Sequence, residues 1–106
     1  MIRWRQPMYL DDSIDEKMSV IRYKFKFKKY PGSYYYLILP EGSDMPEIIR
    51  AVYLKQSHYK KMNYDIIGVA SDKSQAMELF RDMAQDAWNA LGTPNIRRFF
   101  ESCQQQ

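Results

Sequence analysis

The chain is poor in the residue types that carry most protein chemistry. Of its 106 residues, one is cysteine, Cys103, and one is histidine, His58. A single thiol cannot form an internal disulfide, which fits a cytoplasmic chain. One thiol and one imidazole also fall short of the nitrogen and sulfur ligands of a zinc site. The carboxylates Asp11, Asp12 and Asp15 lack the glycine and the ligand spacing of a calcium loop. A Cys–His nucleophile would need Cys103, near the chain end, to meet His58 on a distant element, and nothing in the sequence requires that. His58 reads instead as a surface residue before Tyr59-Lys60-Lys61. The expectation is therefore no metal, no cofactor and no catalytic residue.

Glycine is scarce as well, at four residues. Phosphate-cradling loops are built on clustered glycines, and neither Gly-x-x-x-x-Gly-Lys-[Ser/Thr] nor Gly-x-Gly-x-x-Gly occurs. The serine elbow Gly-x-Ser-x-Gly is missing too. No apolar run approaches the roughly 18 residues of a membrane span, and the first residues have no apolar signal-peptide core. There is no internal repeat and no low-complexity linker. The length implies one domain over residues 1–106. A hydrophobic content of 45% supplies a core.

What the chain does contain is a strand followed by a helix. Ile66, Ile67 and Val69 make a near-contiguous β-branched run, which suits a strand covered on both faces. Gly68 within it marks a close approach by another backbone or a helix. Ser71-Asp72-Lys73-Ser74-Gln75 is a helix start, with Asp72 as cap and Gln75 closing a capping box. Ala76, Phe80, Met83, Ala84, Ala87 and Leu91 then fall on one helical face, with Phe80 at its centre. Met77, Leu79 and Trp88 widen that stripe, so this helix is expected to be covered on more than one side. Gly92 ends it, and Thr93-Pro94 opens a short last helix with Thr93 as cap.

Upstream, residues 1–12 read as an N-terminal arm or an edge strand, since Pro7 argues against a central one. Residues 14–28 admit two readings. Ser13-x-x-Glu16 is a capping box, and Ile14, Met18, Ile21 and Phe25 are spaced four, three, four. From Ile21 to Lys28, however, polar and apolar residues alternate as in a strand. The cap and the late lysines favour a helix. Residues 33–39 predict a strand stopped by Pro40. Asp44 with Glu47 looks like another capping box, so a helix is expected over residues 44–62. The predicted fold is α/β, with α+β as the alternative. Its order is α-β-α-β-α plus a short C-terminal helix, with two or three strands, a parallel βαβ pair and a frayed tail over 103–106.

Charge and aromatics suggest partners. The net charge is +3, and the first thirty residues hold eight Lys/Arg against four Asp/Glu. Arg22, Lys24, Lys26, Lys28 and Lys29, interleaved with aromatic rings, resemble the composition of a nucleic-acid surface. A solvated helix face has the same composition, and no recognised nucleic-acid-binding motif accompanies it. Nine tyrosines occur, three of them consecutive. In a strand, Tyr34 and Tyr36 share one face and Tyr35 takes the other. With Tyr23 and Phe27 on a second apolar side of the first helix, these rings are the candidate interface. The sequence thus points to a non-enzymatic binding or interaction module that forms a homodimer. A nucleic-acid-binding protein using the basic segment 17–29 is the alternative, and a subunit of an enzyme completed by a partner is a further one.

Overall fold

The computed structural model describes residues 2–11, 14, 18–25 and 34–104. In chain order the elements begin with strand β1 (Ile2–Leu10), helix α1 (Met18–Phe25) and strands β2 (Tyr35–Pro40) and β3 (Glu47–Arg50). A 3-10 turn (Ala51–Lys55) and a one-turn helix α2 (Ser57–Lys60) follow. Strand β4 (Tyr64–Ala70) and helices α3 (Lys73–Leu91) and α4 (Ile96–Gln104) complete the chain. The four strands form one mixed sheet in the order β1-β4-β2-β3. The α/β class read from the sequence is the class of the fold.

All seven residues of β4 are buried, as its β-branched run requires of a strand covered on both faces. One layer packs α3 and α4 on the sheet, with Leu37, Leu39, Ile67 and Ala70 against Met83, Ala87, Ile96 and Phe100. The other layer packs Ile14, Ile21 and Phe25 with Ala51 and Leu54 against Tyr36, Ile38, Ile66 and Val69. Residues 18–25 are helix and not strand, with Ile21 and Phe25 of the predicted stripe buried, and residues 15–17 and 26–28 of the predicted helix lie outside the described residues. A bulge serves both layers: Leu37 pairs with Gly68 but Ile38 with Ile66, leaving Ile67 as the extra residue.

Gly68 sits at that bulge for lack of room. A Cβ there would lie 3.0 Å from Met83 Cε, 3.1 Å from Leu37 Cδ1 and 3.1 Å from the Tyr9 carbonyl oxygen. Side chains can yield, but the carbonyl belongs to the β1 backbone. Gly68→Ala should therefore cost about 1–3 kcal/mol by overpacking, read as a lowered urea midpoint. A variant as stable as the parent would show that β1 lies further off.

Helix α3 has the predicted ends. The Gln75 backbone N–H donates to Asp72 Oδ1 at 2.8 Å, and Gly92 takes the left-handed conformation (φ 73°) while its N–H donates to Trp88 O. Asp11 ties β1 to the start of this helix: it is 7% exposed and accepts from the Ser71 N–H at 2.5 Å. Its role is to satisfy backbone donors at a buried strand end.

Several expectations are corrected. Residues 44–62 are not one helix. Ile48 and Ile49 are β-branched and send one side chain to each layer, so Glu47–Arg50 pairs antiparallel with β2. The turn before it has Ser43 N–H donating to Pro40 O at 3.0 Å and Gly42 at φ 82°, the conformation that favours glycine. Because β3 turns the chain back, the segment with the 3-10 turn and α2 delivers β4 antiparallel to β2, and the parallel strand hydrogen-bonded to β4 is β1. The sheet therefore has four strands, not two or three. The last helix is capped by Asn95, whose side chain accepts from the Arg98 N–H, and not by Thr93. Phe80 is only half-buried, while Met77 and Trp88 are more than half exposed, so α3 is covered on one side. Within the expected tail, α4 continues to Gln104, and residues 105–106 lie outside the described residues. No described helix is long and apolar enough to cross a membrane.

Two tyrosines link this packing to pH. Tyr36 is fully buried. Burial pushes its phenol above the ordinary value near 10. Tyr9 is half-buried and its hydroxyl donates to Asp86 Oδ2 at 2.5 Å. Burial first, and then that carboxylate, raise its pKa as well. Both phenols keep their protons in the fold at a pH where an unfolded chain releases them. Their contribution is whole below about pH 10 and declines as pH rises beyond it. Urea unfolding at about pH 8 and about pH 11 should show this loss, and Tyr36→Phe should reduce it. A flat profile would mean that the rings reach solvent.

Candidate functional site

Two depressions in the surface hold polar side chains. The first is a cleft of about 290 Å³ at the sheet end where β1 and β4 begin, lined by Arg3, Glu41, Asn63, Tyr64, Asp65 and Arg97 among others. Register builds it. Arg3 stands beside Asp65 across the parallel pair, and Arg5 lies two residues on along the same face. Arg3 Nε and Nη2 donate to the two Asp65 oxygens at 2.9 and 3.2 Å, and Arg5 Nη1 donates at 3.0 Å. The bonds to Asp65 push the Arg3 guanidinium further above its ordinary range. Arg97 reaches from α4 to the β2–β3 turn, where it donates to the Pro40 carbonyl at 2.7 Å and to the Ser43 carbonyl. Asn63 donates to Glu41 at 2.8 Å. These groups are turned on one another, and their chemistry is that of a strut joining β1, β4, α4 and a turn.

The second depression is a groove of about 430 Å³ beside β3, lined by Tyr35, Ile48, Ile49, Arg50, Tyr53, Gln56, Tyr59 and Lys73. Ile48 and Tyr35 pack into the α3 layer, whereas Ile49 and Tyr59 pack into the opposite one. A depression lined from both faces of a strand lies over its edge. That edge is the outer one of the sheet, and no described strand pairs with it. The ladder fixes its polarity. Ala51 N–H donates to Tyr34 O at 2.9 Å, so in an antiparallel pair Ile49 is the next residue bonded to β2. Ile48 and Arg50 then point their N–H and C=O groups outward. Tyr53, which lines the groove, is half-exposed. Lys73 and Arg50 supply positive charge, and no acid lines the groove.

The residues singled out in the sequence are dispersed. Tyr35 lines the groove, Tyr34 is half-buried in the α1 layer, and Tyr36 is fully buried, stacked edge-on with Phe25 at 5.2 Å. Tyr36 thus offers no surface to a partner. Arg22 is exposed on α1 and holds its guanidinium 5.2 Å from the Trp4 ring centroid. Lys26, Lys28, Lys29 and Phe27, and the side chains of Tyr23 and Lys24, lie outside the described residues. His58 is exposed on α2 and stacks edge-on with Tyr59. Cys103 packs against the α3 layer. Among the described residues, no three His, Cys, Asp or Glu side chains gather as metal ligands would. Ile48, Arg50, Tyr53 and Lys73 escaped sequence reasoning because their juxtaposition depends on β3, a strand that the sequence presents as helix.

No family model matches the chain, and neither the curated proteins nor the solved structures contain a match to it.

Proposed function

We propose that this protein is a non-enzymatic interaction module that takes an extended segment of a partner protein along the outer edge of β3. The observation that carries the reading is the groove lying over an edge whose N–H and C=O groups face outward at Ile48 and Arg50. A strand laid there gains main-chain hydrogen bonds from those groups and side-chain contacts from both faces. The other outer strand, β1, carries Pro7 and an irregular register between Trp4 and Tyr9, features that discourage added strands. Homodimerisation is the competing use of this edge. β3 has four residues with a charge at each end, Glu47 and Arg50, and a ladder of two such strands would be short. A narrow segment of another chain suits the groove better than a second folded domain.

The test exploits the backbone. Arg50 has φ −72°, close to the value that proline imposes. Arg50→Pro would remove an outward donor without touching the β2 ladder. Peptides selected from a displayed random library should perturb the amide signals of residues 48–50. Arg50→Pro should weaken them at least about tenfold, roughly one lost main-chain hydrogen bond to a buried partner, while Arg50→Gln should weaken them less. Peptides that map to the Arg3–Arg97 cleft would overturn the reading in favour of that cleft. Light scattering at twice the 12.7 kDa chain mass, abolished by Arg50→Pro, would replace it with self-pairing.

A further inference from the structure

We infer that the segment bound at β3 is two-sided, acidic at the alternate positions that face α3 and apolar at the positions between them. The inference rests on strand addition at β3, proposed above, and concerns which side chains the added strand carries. Arg50 stands directly opposite Tyr35 in the β2–β3 ladder, and opposite residues share a face. Tyr35 packs into the α3 layer, so Arg50 projects to that side, where Lys73 at the start of α3 also lines the groove. The other side differs. Ile49 and Tyr59 belong to the α1 layer, and the Tyr59 hydroxyl lies 3.5 Å from Glu47, the acid next to the groove. Both cations therefore lie on one face of the edge, and the nearby carboxylate lies on the other.

An added strand alternates its side chains between the same two faces. Carboxylates at every second position would approach Arg50 and Lys73. The intervening side chains would cover Ile49 and the ring of Tyr59. The reverse arrangement would bring acids toward Glu47 and leave both cations over apolar side chains. Cations and rings in one groove would also suit single-stranded nucleic acid. The outward N–H and C=O groups favour peptide, because bases and phosphates cannot complete a β-ladder.

Three short synthetic peptides test this by fluorescence anisotropy at moderate salt. One alternates valine and glutamate, one alternates valine and lysine, and the third is the glutamate peptide N-methylated throughout. The wild type should bind the glutamate peptide at least about tenfold more tightly than the lysine peptide, a difference of about 1.4 kcal/mol. Arg50→Glu with Lys73→Glu, both at exposed positions, should reverse that preference while leaving the melting temperature unchanged. N-methylation should abolish binding. Equal binding of the two charged peptides, with loss on N-methylation, would overturn the acidic preference and leave strand addition standing. Undiminished binding of the N-methylated peptide, or no binding of any peptide, would overturn both. A single-stranded oligonucleotide that displaces the glutamate peptide at comparable affinity, weakened by the same double substitution, would give the groove to nucleic acid.

Discussion

Replacing Asp65 with alanine should remove a large share of the stability of this protein. Asp65 is 5% exposed in the central strand and takes hydrogen bonds from two guanidinium groups. Arg5 is equally buried, and its Nε already has no partner among the described residues. Without Asp65 the Arg5 charge stays in the interior uncompensated. Breaking such a buried pair costs about 3–5 kcal/mol, against a total of about 5–15 kcal/mol for a domain of this size. Arg3→Ala should do much less, because more than half of that side chain is in solvent and the Arg5–Asp65 bond survives it. Replacing Arg5 with methionine and Asp65 with leucine together should recover most of the loss, since neither charge is then buried. Urea unfolding checks all three variants. An Asp65→Ala loss below about 1 kcal/mol would mean that water reaches Arg5.

Phe100→Ala should be of similar size, about 3–5 kcal/mol. Phe100 has no exposed surface and stands edge-on to Phe99 at 5.6 Å and Tyr9 at 6.0 Å. It joins α4 to β1 within the α3 layer, so its removal opens a cavity that two helices and a strand would have to close. Phe80→Ala should cost less, about 1–2 kcal/mol, because that ring is only half-buried at the margin of the same cluster. The order of the two losses, by thermal or urea unfolding, reports which face of α3 meets the sheet. A larger effect at Phe80 would rotate the helix away from the packing described above.

The parts of the fold legible in the sequence are those decided by neighbours along the chain. Ile66, Ile67 and Val69 announced a doubly covered strand because β-branched side chains in a run suit a pleat buried on both faces. Asp72 and Gly92 marked the ends of α3 because helix ends need a side-chain acceptor at one end and a left-handed residue at the other. The spacing of Ile21 and Phe25 marked the buried side of α1. Gly68 was read as a close approach, and the β1 carbonyl and the Met83 side chain are what come close.

The remainder was decided by residues far apart. Asp44 and Glu47 have the spacing of a capping box, yet Glu47–Arg50 is a strand, since β2 offered an unpaired edge and Ile48 and Ile49 could each fill a different layer. The Pro40-Glu41-Gly42-Ser43 turn was the local signal for that hairpin, and the competing helix signal masked it. Tyr34, Tyr35 and Tyr36 alternate as expected, but only the packed layers decide that Tyr36 is enclosed and that Tyr35 opens onto the groove. Arg3 and Arg5 lie 62 and 60 residues from Asp65 in the chain and meet it through the β1–β4 register alone. The amino-acid sequence by itself thus determined the α/β class, the central strand and the long helix, because propensity, caps and periodicity act within a few residues. The tertiary structure decided the direction of strand pairing, the charge strut and the β3 groove, because each depends on which strand borders which, and no local preference carries that information.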